Sequence, residues 1–401
     1  MLNEKIFLMY SKFRIMTDTL GKNGELEMKI LYVTTISNTA NAFLIPHIKM
    51  LINQGHQVDL AFHVAQEIDT EIFELGCKVH ELEFERSPLN SRNYTAYKKL
   101  KKLIYSEKYD LIHTHTPVAS ACVRIAVRKF KEVKVVYTAH GFHFFKGAPL
   151  INWLTYYLIE RWLSRYTDLI ITINKEDFLR AKTSFKARKI EYIPGVGIDT
   201  NKYNSVTVNK QEKLREMGIP NSAFIILSVG ELNNNKNHET ILRAITKLKN
   251  PSIYYVVCGK GPLESYLRDL TKKLGINKQV KLIGYRTDIA EICNIADIFA
   301  FPSKREGLGL AALEAMASGL PLITSNVHGI VDYSVDGVTG FTCDPADIKG
   351  FAQSIDRLYK SKSNRETMGQ HNQDAVKVFD IDNTNKILKD IYKKLEIEMI
   401  N

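Results

Sequence analysis

The sequence predicts an α/β protein with two parallel sheets in tandem, each with helices on both faces, the two facing each other across a cleft. Three observations predict it. The chain has 401 residues, more than a single hydrophobic core usually serves. Short apolar runs alternate with amphipathic stretches, the pattern of parallel strands joined by crossover helices. After a turn cluster near residue 195 the whole pattern starts again.

Met28 to Thr34 is a continuous apolar run and reads as a buried first strand, because a parallel strand is covered on both faces. A helical stretch around Phe43–Asn53 ends at Gly55, and Val58–Phe62 is the next strand. A helix over Tyr94–Ser106 leads into the strand Asp110–His113. Val118–Lys129 is helical, Lys134–Thr138 a strand, Leu150–Leu163 a helix and Asp168–Ile173 a strand. Ile193-Pro-Gly-Val-Gly197 and the polar residues to about Lys213 read as an interdomain linker. Phe224–Val229 opens the second series, with strands at Tyr254–Cys258, Val280–Ile283, Ile298–Phe301 and Leu322–Thr324. The division is thus 28–205, 206–378 and a last segment, 379–401, whose lysine-rich helix over Thr384–Glu398 is expected to cross back to the first domain. Met28 could itself be a start, which leaves residues 1–27 as an extension outside the fold.

Hydrophobic residues at 45% and charged residues at 25% fit a soluble globular chain. No apolar run is long enough for a transmembrane helix, and the start lacks the apolar core and cleavage site of a signal peptide. Five scattered cysteines without a CxxC pair read as reduced thiols, not as disulfides or a zinc site. Of the formal charge of +11, residues 28–200 carry +7. Such a half suits an anionic partner or is simply a solvated basic surface. No RNP-like, helix-turn-helix or zinc-finger pattern supports nucleic acid. The first strand is not followed by GxGxxG, which disfavours an NAD oxidoreductase.

Ligands of open parallel sheets bind at the carboxyl ends of the strands, and the motifs fall there. Ser303-Lys-Arg-Glu-Gly-Leu-Gly309 joins a strand to a helix carrying Glu314. Unpaired N–H groups and the dipole make such a helix start an anion site, and Gly307 and Gly309 let the backbone approach a ligand. Glu314 lies on a helix apolar nearly all round. It is therefore buried or lines a cleft, where a carboxylate could hold the vicinal hydroxyls of a ribose. In Gly230-Glu-Leu-Asn-Asn-Asn-Lys236-Asn237, Lys236 is placed to meet a phosphate, although an asparagine-capped helix with a solvated lysine reads the same way. His113, His115, His140 and His143 gather at two strand ends that should be neighbours. A metal there is disfavoured, since ligand spacing and a carboxylate partner are missing. Asp380-Ile-Asp382 has the Asp-x-Asp form of metal-dependent sugar transferases, but its place in the tail reads as a helix N-terminus. Gly259-Lys-Gly-Pro262 is half a dinucleotide fingerprint and weak alone.

Glu306-x7-Glu314, with Glu-Gly-Leu-Gly, Glu-Ala-Met-Ala and Gly-Leu-Pro around it, resembles the signature of retaining GT-B glycosyltransferases of family 4. The likeness runs from Met28 to about Phe379. It takes in Asp110-Leu-Ile-His-Thr-His115, Thr138-Ala-His-Gly-Phe-His-Phe144, Tyr192-Ile-Pro-Gly-Val-Gly-Ile-Asp199 and Gly284-Tyr-Arg-Thr-Asp288. It is nearest to bacterial members that build capsular and exopolysaccharide repeat units. The resemblance implies two Rossmann-like domains, the first on the acceptor side and the second binding a nucleotide-sugar. It implies catalytic roles for His140, Lys236 and Glu306. Donor contacts then fall at Gly230, Lys236, Gly259, Gly284, Tyr285, Arg286, Arg305, Glu306, Gly307, Leu308, Gly309 and Glu314, and Thr35, Asn38, His115 and His143 are on the acceptor side. The donor is a substrate, uridine being the better choice over guanosine, and neither a metal nor another cofactor is expected. The acceptor is a lipid-linked saccharide. With the basic first domain and the aromatic stretch Leu150–Leu163, this points to a cytoplasmic protein on the anionic inner face of the membrane. A GT-B nucleotide-sugar epimerase is the nearest alternative. The chain departs from the pattern at Glu231, where relatives carry an arginine that shares the diphosphate with the lysine, and at Thr34–Asn38, where they often carry Gly-Gly.

Overall fold

A computed structural model describes residues 27–130 and 132–400. The expected extension lies outside the described residues except for Glu27. The first sheet has seven strands: β1 (Lys29–Ile36), β2 (Gln57–His63), β3 (Val79–Glu81), β4 (Leu111–Thr114), β5 (Lys134–Ala139), β6 (Leu169–Thr172) and β7 (Lys189–Tyr192). The second has six: β8 (Phe224–Val229), β9 (Ile253–Cys258), β10 (Val280–Gly284), β11 (Ile298–Phe301), β12 (Leu322–Ser325) and β13 (Gly340–Cys343). Every pairing is parallel. The orders are β3-β2-β1-β4-β5-β6-β7 and β10-β9-β8-β11-β12-β13. Both are Rossmann-like and reverse direction between first and fourth strand, so β1/β4 and β8/β11 are the switch points where crevices open.

The central strands are buried on both faces: Ile30 to Val33, Leu111, Ile112, Ile225 to Leu227 and Ile298 to Ala300 are all at 0% exposure. Strands β3, β7 and β13 do not show in the apolar pattern. The first two are short edge strands with charged residues, a composition that discourages further pairing. The expected linker holds two short helices, Thr200–Asn204 and Lys210–Glu216, capped by Asp199 and Asn209.

The helix expected over Leu150–Leu163 is interrupted. It runs as a helical turn at Leu150–Asn152, a π-helical turn at Trp153–Tyr157 and a regular piece at Leu158–Leu163. Its inner side is anchored by Glu160, which takes a two-pronged ion pair from the fully buried Arg124 at 2.8 and 3.1 Å. The Arg124 guanidinium also lies over the Tyr137 ring at 4.4 Å. Its outer side leaves Leu150, Ile151, Leu154, Leu158, Ile159 and Trp162 exposed.

The last helix, Ile381–Ile400, starts directly after Asp380, whose carboxylate accepts from the backbone N–H groups of Asp382 at 2.9 Å and Thr200 at 3.3 Å. It then lies on the first domain. The Tyr392 hydroxyl meets Tyr32 at 3.2 Å and the His113 Nδ1 at 2.7 Å, and Glu396 pairs with His56 at 3.1 Å. All five cysteines are free. Among the described residues no helix is long and apolar enough to cross a membrane, and no cluster of His, Cys, Asp and Glu could hold a metal ion.

Arg124→Ala should cost about 3–5 kcal/mol of stability, because it strands the Glu160 carboxylate in the core. Urea titration followed by circular dichroism measures this. A loss below about 1 kcal/mol would show that the pair does not hold the Leu150–Leu163 segment in place.

Candidate active site

The loops after β8 and β11 leave neighbouring strands and are tied together. Asn235 donates its amide N–H to the Arg305 carbonyl at 2.9 Å, and the Lys304 N–H donates to the Asn235 carbonyl at 2.8 Å. Asn237 donates to the Pro302 and Pro345 carbonyls at 3.0 and 2.9 Å. Each loop feeds a helix, His238–Leu248 or Leu310–Ala317, whose N-cap residue, Asn237 or Gly309, has positive φ and makes no side-chain cap. Two helix starts thus enter the same crevice with N–H groups that no cap occupies. Between them Lys236 binds Glu306, Nζ to Oε1 at 2.7 Å, with both side chains mostly covered. The Lys236 stem runs against Gly230, where a Cβ would stand about 3.0 Å from it, and its ammonium sits 4.8 Å from the Phe301 ring centre. Glu231 is exposed and accepts from Asn233 at 2.9 Å.

The opposite wall is built from the ends of β1, β4 and β5. His140, just past β5, meets the His115 ring nitrogen at 3.1 Å, and His115 stacks on His113 with centroids 4.2 Å apart. His113 is held on both sides, by Tyr392 and by the Thr138 hydroxyl at 2.7 Å. Phe43 packs on His140 at 5.0 Å, and His143 stacks on Tyr156 at 4.8 Å. Burial pushes His140 and His143 down to about 4, with His47 adding to the first effect and Arg305 to the second. These imidazoles are therefore uncharged at neutral pH. Thr35 is engaged with Thr116, hydroxyl to hydroxyl at 2.6 Å, and Asn38 donates to Gln66 at 2.8 Å.

The walls touch at Gly307. A Cβ there would lie 1.9 Å from the His140 carbonyl oxygen, and one on Gly141 would lie 2.6 Å from the Gly307 Cα. Asn174 of the first domain donates to the Gly307 carbonyl at 2.9 Å. Beside it, buried Asp177 accepts from His328 of the second domain at 3.0 Å and from the Phe142 N–H and the Asn174 amide at 2.9 and 2.8 Å. Asn174, Asp177 and His328 were missed in the sequence. Asn174-x-x-Asp177 has the spacing of an ordinary helix start, and a lone histidine gives no signal.

The other expected residues are spread along the crevice. Glu314 and Leu310 line a cavity of about 720 Å³, which Phe43, Lys49, Lys202, Tyr203 and Lys389 also line. Burial raises the Glu314 carboxyl, and the Tyr203 hydroxyl partly offsets this. Gly259 lies directly on Gly230, whose carbonyl oxygen would be 1.9 Å from a Cβ there. Leu308 is buried against Gly195 of the linker. Gly284 has φ +74, and Tyr285 after it is 74% exposed. Arg286 is bound in ion pairs with Asp288 and Glu216. Arg305, expected beside Lys236 at the donor, is half-buried, and burial lowers its guanidinium below the ordinary value, with the charge of Glu306 and then that of Asp177 partly offsetting this.

Comparison with known proteins identifies this architecture. Residues 209–375 match the family described as Glycosyl transferases group 1, and residues 29–174 match Glycosyl transferase 4-like. A Bacillus subtilis (strain 168) relative, EpsD, is 37% identical over 370 residues, covering 91% of this chain and 96% of its own. The chain belongs to the group 1 glycosyl transferases. An Escherichia coli member, named UDP-Gal:alpha-D-GlcNAc-diphosphoundecaprenol alpha-1,3-galactosyltransferase, is 31% identical over 69% of this chain and 74% of its own. Among solved structures, Anabaena HepE in complex with UDP and glucose superposes with a TM-score of 0.77 at 20% identity, over 92% of this chain and all of that one. That likeness gives the fold, GT-B, and with the family membership it makes this group 1 glycosyl transferase a two-domain enzyme with its crevice between the sheets.

The buried histidines set an acid limit. Burial pushes His47 and His238 down to about 4 and holds His113 and His115 well below the ordinary range. Unfolded, each takes a proton below about pH 6.5. Folded, His47 and His238 do not until about pH 4. The unfolded state thus binds more protons in this window, and stability is lost as pH falls through it. Urea midpoints should drop steadily from pH 7 to pH 4.5, and midpoints that stay level would show that these rings are not held neutral.

Proposed function

We propose that this glycosyltransferase is a retaining enzyme that moves a sugar from a UDP-sugar to a lipid-linked saccharide in the assembly of a bacterial surface polysaccharide. The observation that carries the reading is the pair of uncapped helix starts flanking Lys236 at the β8/β11 switch point. Breaking a sugar–phosphate bond leaves a diphosphate whose charge must be stabilised, and pre-aligned N–H groups with one lysine suit that task. Glu314, in the wall of the cavity, suits the ribose. HepE was solved with UDP and glucose, the E. coli relative's name gives a diphosphoundecaprenol acceptor, and a Staphylococcus aureus relative, 25% identical over 87% of this chain and 92% of its own, is named as a capsular polysaccharide glycosyltransferase, CapM. Relatives named as transferases favour this over an epimerase.

Front-face displacement suits the opposing wall. The groups there are neutral imidazoles and hydroxyls, and the buried Asp177 has both oxygens engaged. In this mechanism the departing phosphate takes the acceptor proton, and His140 orients a sugar hydroxyl. Labelled UDP-sugars offered in EDTA with a lipid-linked saccharide should yield an α-linked product. Lys236→Ala should lower turnover about tenfold to a hundredfold. A β-linked product would exclude retention, and conversion of donor to an epimer without transfer would replace the reading.

A lipid-linked acceptor suits an enzyme that works at a membrane surface. The exposed face of Leu150–Leu163 and the net charge of the first domain suit an apolar contact beside anionic headgroups. Flotation with anionic liposomes should succeed at low salt and weaken at high salt. No binding at low salt would remove the membrane from the proposal.

A further inference from the structure

We infer that His328 is a positioning residue for sugar transfer: it reaches out of the second domain and ties the first against the Glu306–Gly307 loop, so that this loop and His140 keep a fixed register across the crevice. This rests on the proposed reading, in which Glu306 meets the donor sugar and His140 orients a sugar hydroxyl. The motive is a conflict in the backbone. His328 has φ +47 and is 3% exposed. Positive φ favours glycine, because a Cβ there crowds the neighbouring carbonyl. A buried histidine in that conformation is held against its preference, and such outliers gather at functional sites. His328 opens the helical turn His328–Asp332 that follows β12. Its backbone lies on the loop: the Gly329 N–H donates to the Glu306 carbonyl at 3.1 Å, and a Cβ on Gly329 would stand 1.9 Å from the Gly307 carbonyl oxygen. Its ring crosses to the first domain. There Nε2 donates to Asp177 Oδ1 at 3.0 Å, and the ring stacks on Phe145 at 4.9 Å. Gly307 is thus clasped between His140–Gly141 on one side and His328–Gly329 on the other.

The tie is additional to what either domain needs for itself. Asp177 Oδ2 accepts from the Phe142 N–H and the Asn174 amide, both in the first domain, and Oδ1 is left to His328. Without the imidazole, the helix start at Lys175 keeps its cap, since Asn174 accepts from the Asp177 N–H at 2.8 Å. The Gly329 bond to Glu306 runs through backbone and survives any side chain at 328. What goes is a hold between the domains, leaving Asn174 on the Gly307 carbonyl at 2.9 Å and the Lys175 N–H on Asp332 at 2.8 Å. Two substrates bound on opposite walls must meet at bonding distance, and a misplacement of about 1 Å can cost on the order of a hundredfold in rate. A glycine at 328 would suit the backbone better than histidine does. It therefore separates the two effects: it relieves the conflict and removes the tie.

The test uses the full-length wild type, His328→Gly and His328→Gln, with a UDP-sugar and a lipid-linked saccharide. His328→Gly should lower kcat about tenfold to a hundredfold. The Kd for UDP, measured by calorimetry, should change less than about threefold, because Lys236 and both helix starts belong to the second domain. His328→Gln, whose amide N–H donates at a similar reach and the same backbone cost, should recover most of the rate. Small-angle X-ray scattering should give a larger radius of gyration for His328→Gly and the wild-type value for His328→Gln. A role confined to folding predicts that urea midpoint, UDP affinity and kcat fall together in His328→Gly, with no rescue by glutamine, and that result would overturn the inference. An unchanged or raised kcat would overturn it too, and so would a radius common to all three proteins. If wild type transfers nothing from any UDP-sugar while His328→Gly still widens the molecule, the reading of the reaction fails and the tie between the domains stands.

Discussion

The structure depends on one close contact, the packing of Gly307 against the His140–Gly141 backbone across the crevice. No side chain fits there, since a Cβ would stand 1.9 Å from a carbonyl oxygen and 2.7 Å from its carbon. The glycine therefore does more than let a ligand approach: it lets two domains meet backbone to backbone. The Asn174 bond to the Gly307 carbonyl and the Asp177–His328 pair fix that meeting point. The same loop carries Glu306, which Lys236 holds at 2.7 Å, so the register of the contact sets where that carboxylate lies.

The two walls differ in charge because of how each is built. The second-domain wall gathers positive potential from helix starts and a lysine. The first-domain wall stacks imidazoles so tightly that burial keeps them neutral. A cationic cluster there would cost the fold several buried charges. Neutral rings can instead donate and accept at sugar hydroxyls. Tyr392 extends this order to the C-terminal helix, since its bond to His113 supports the stack that ends in His140.

Much of this was legible in the sequence, and what was not has physical reasons. Continuous apolar runs give the central strands because parallel strands are covered on both faces. The edge strands β3 and β7, half-buried and charged, carry no such signal. Glu306, Lys236 and His140 stood out because strand ends and glycine loops announce a binding edge. Asn174, Asp177 and His328 did not, since their importance comes from partners more than 130 residues away. The break at Trp153–Tyr157 was equally hidden: the run reads as one helix, and the Arg124–Glu160 anchor is set by tertiary packing.

The replacement of an arginine by Glu231 acquires a physical meaning in this setting. In the pattern the chain resembles, two cations share the diphosphate. Here Glu231 is in solvent and only Lys236 stands between the helix starts, already neutralised by Glu306. That pairing avoids leaving a lone charge in a partly buried crevice, a state more costly than either the pair or the filled site. On the proposed reading an arriving diphosphate takes Lys236 from Glu306 by a charge-for-charge exchange, so little is lost in separating them. Glu306 is then released to accept from the hydroxyls of the donor sugar. The exchange links phosphate capture to sugar recognition through one ion pair.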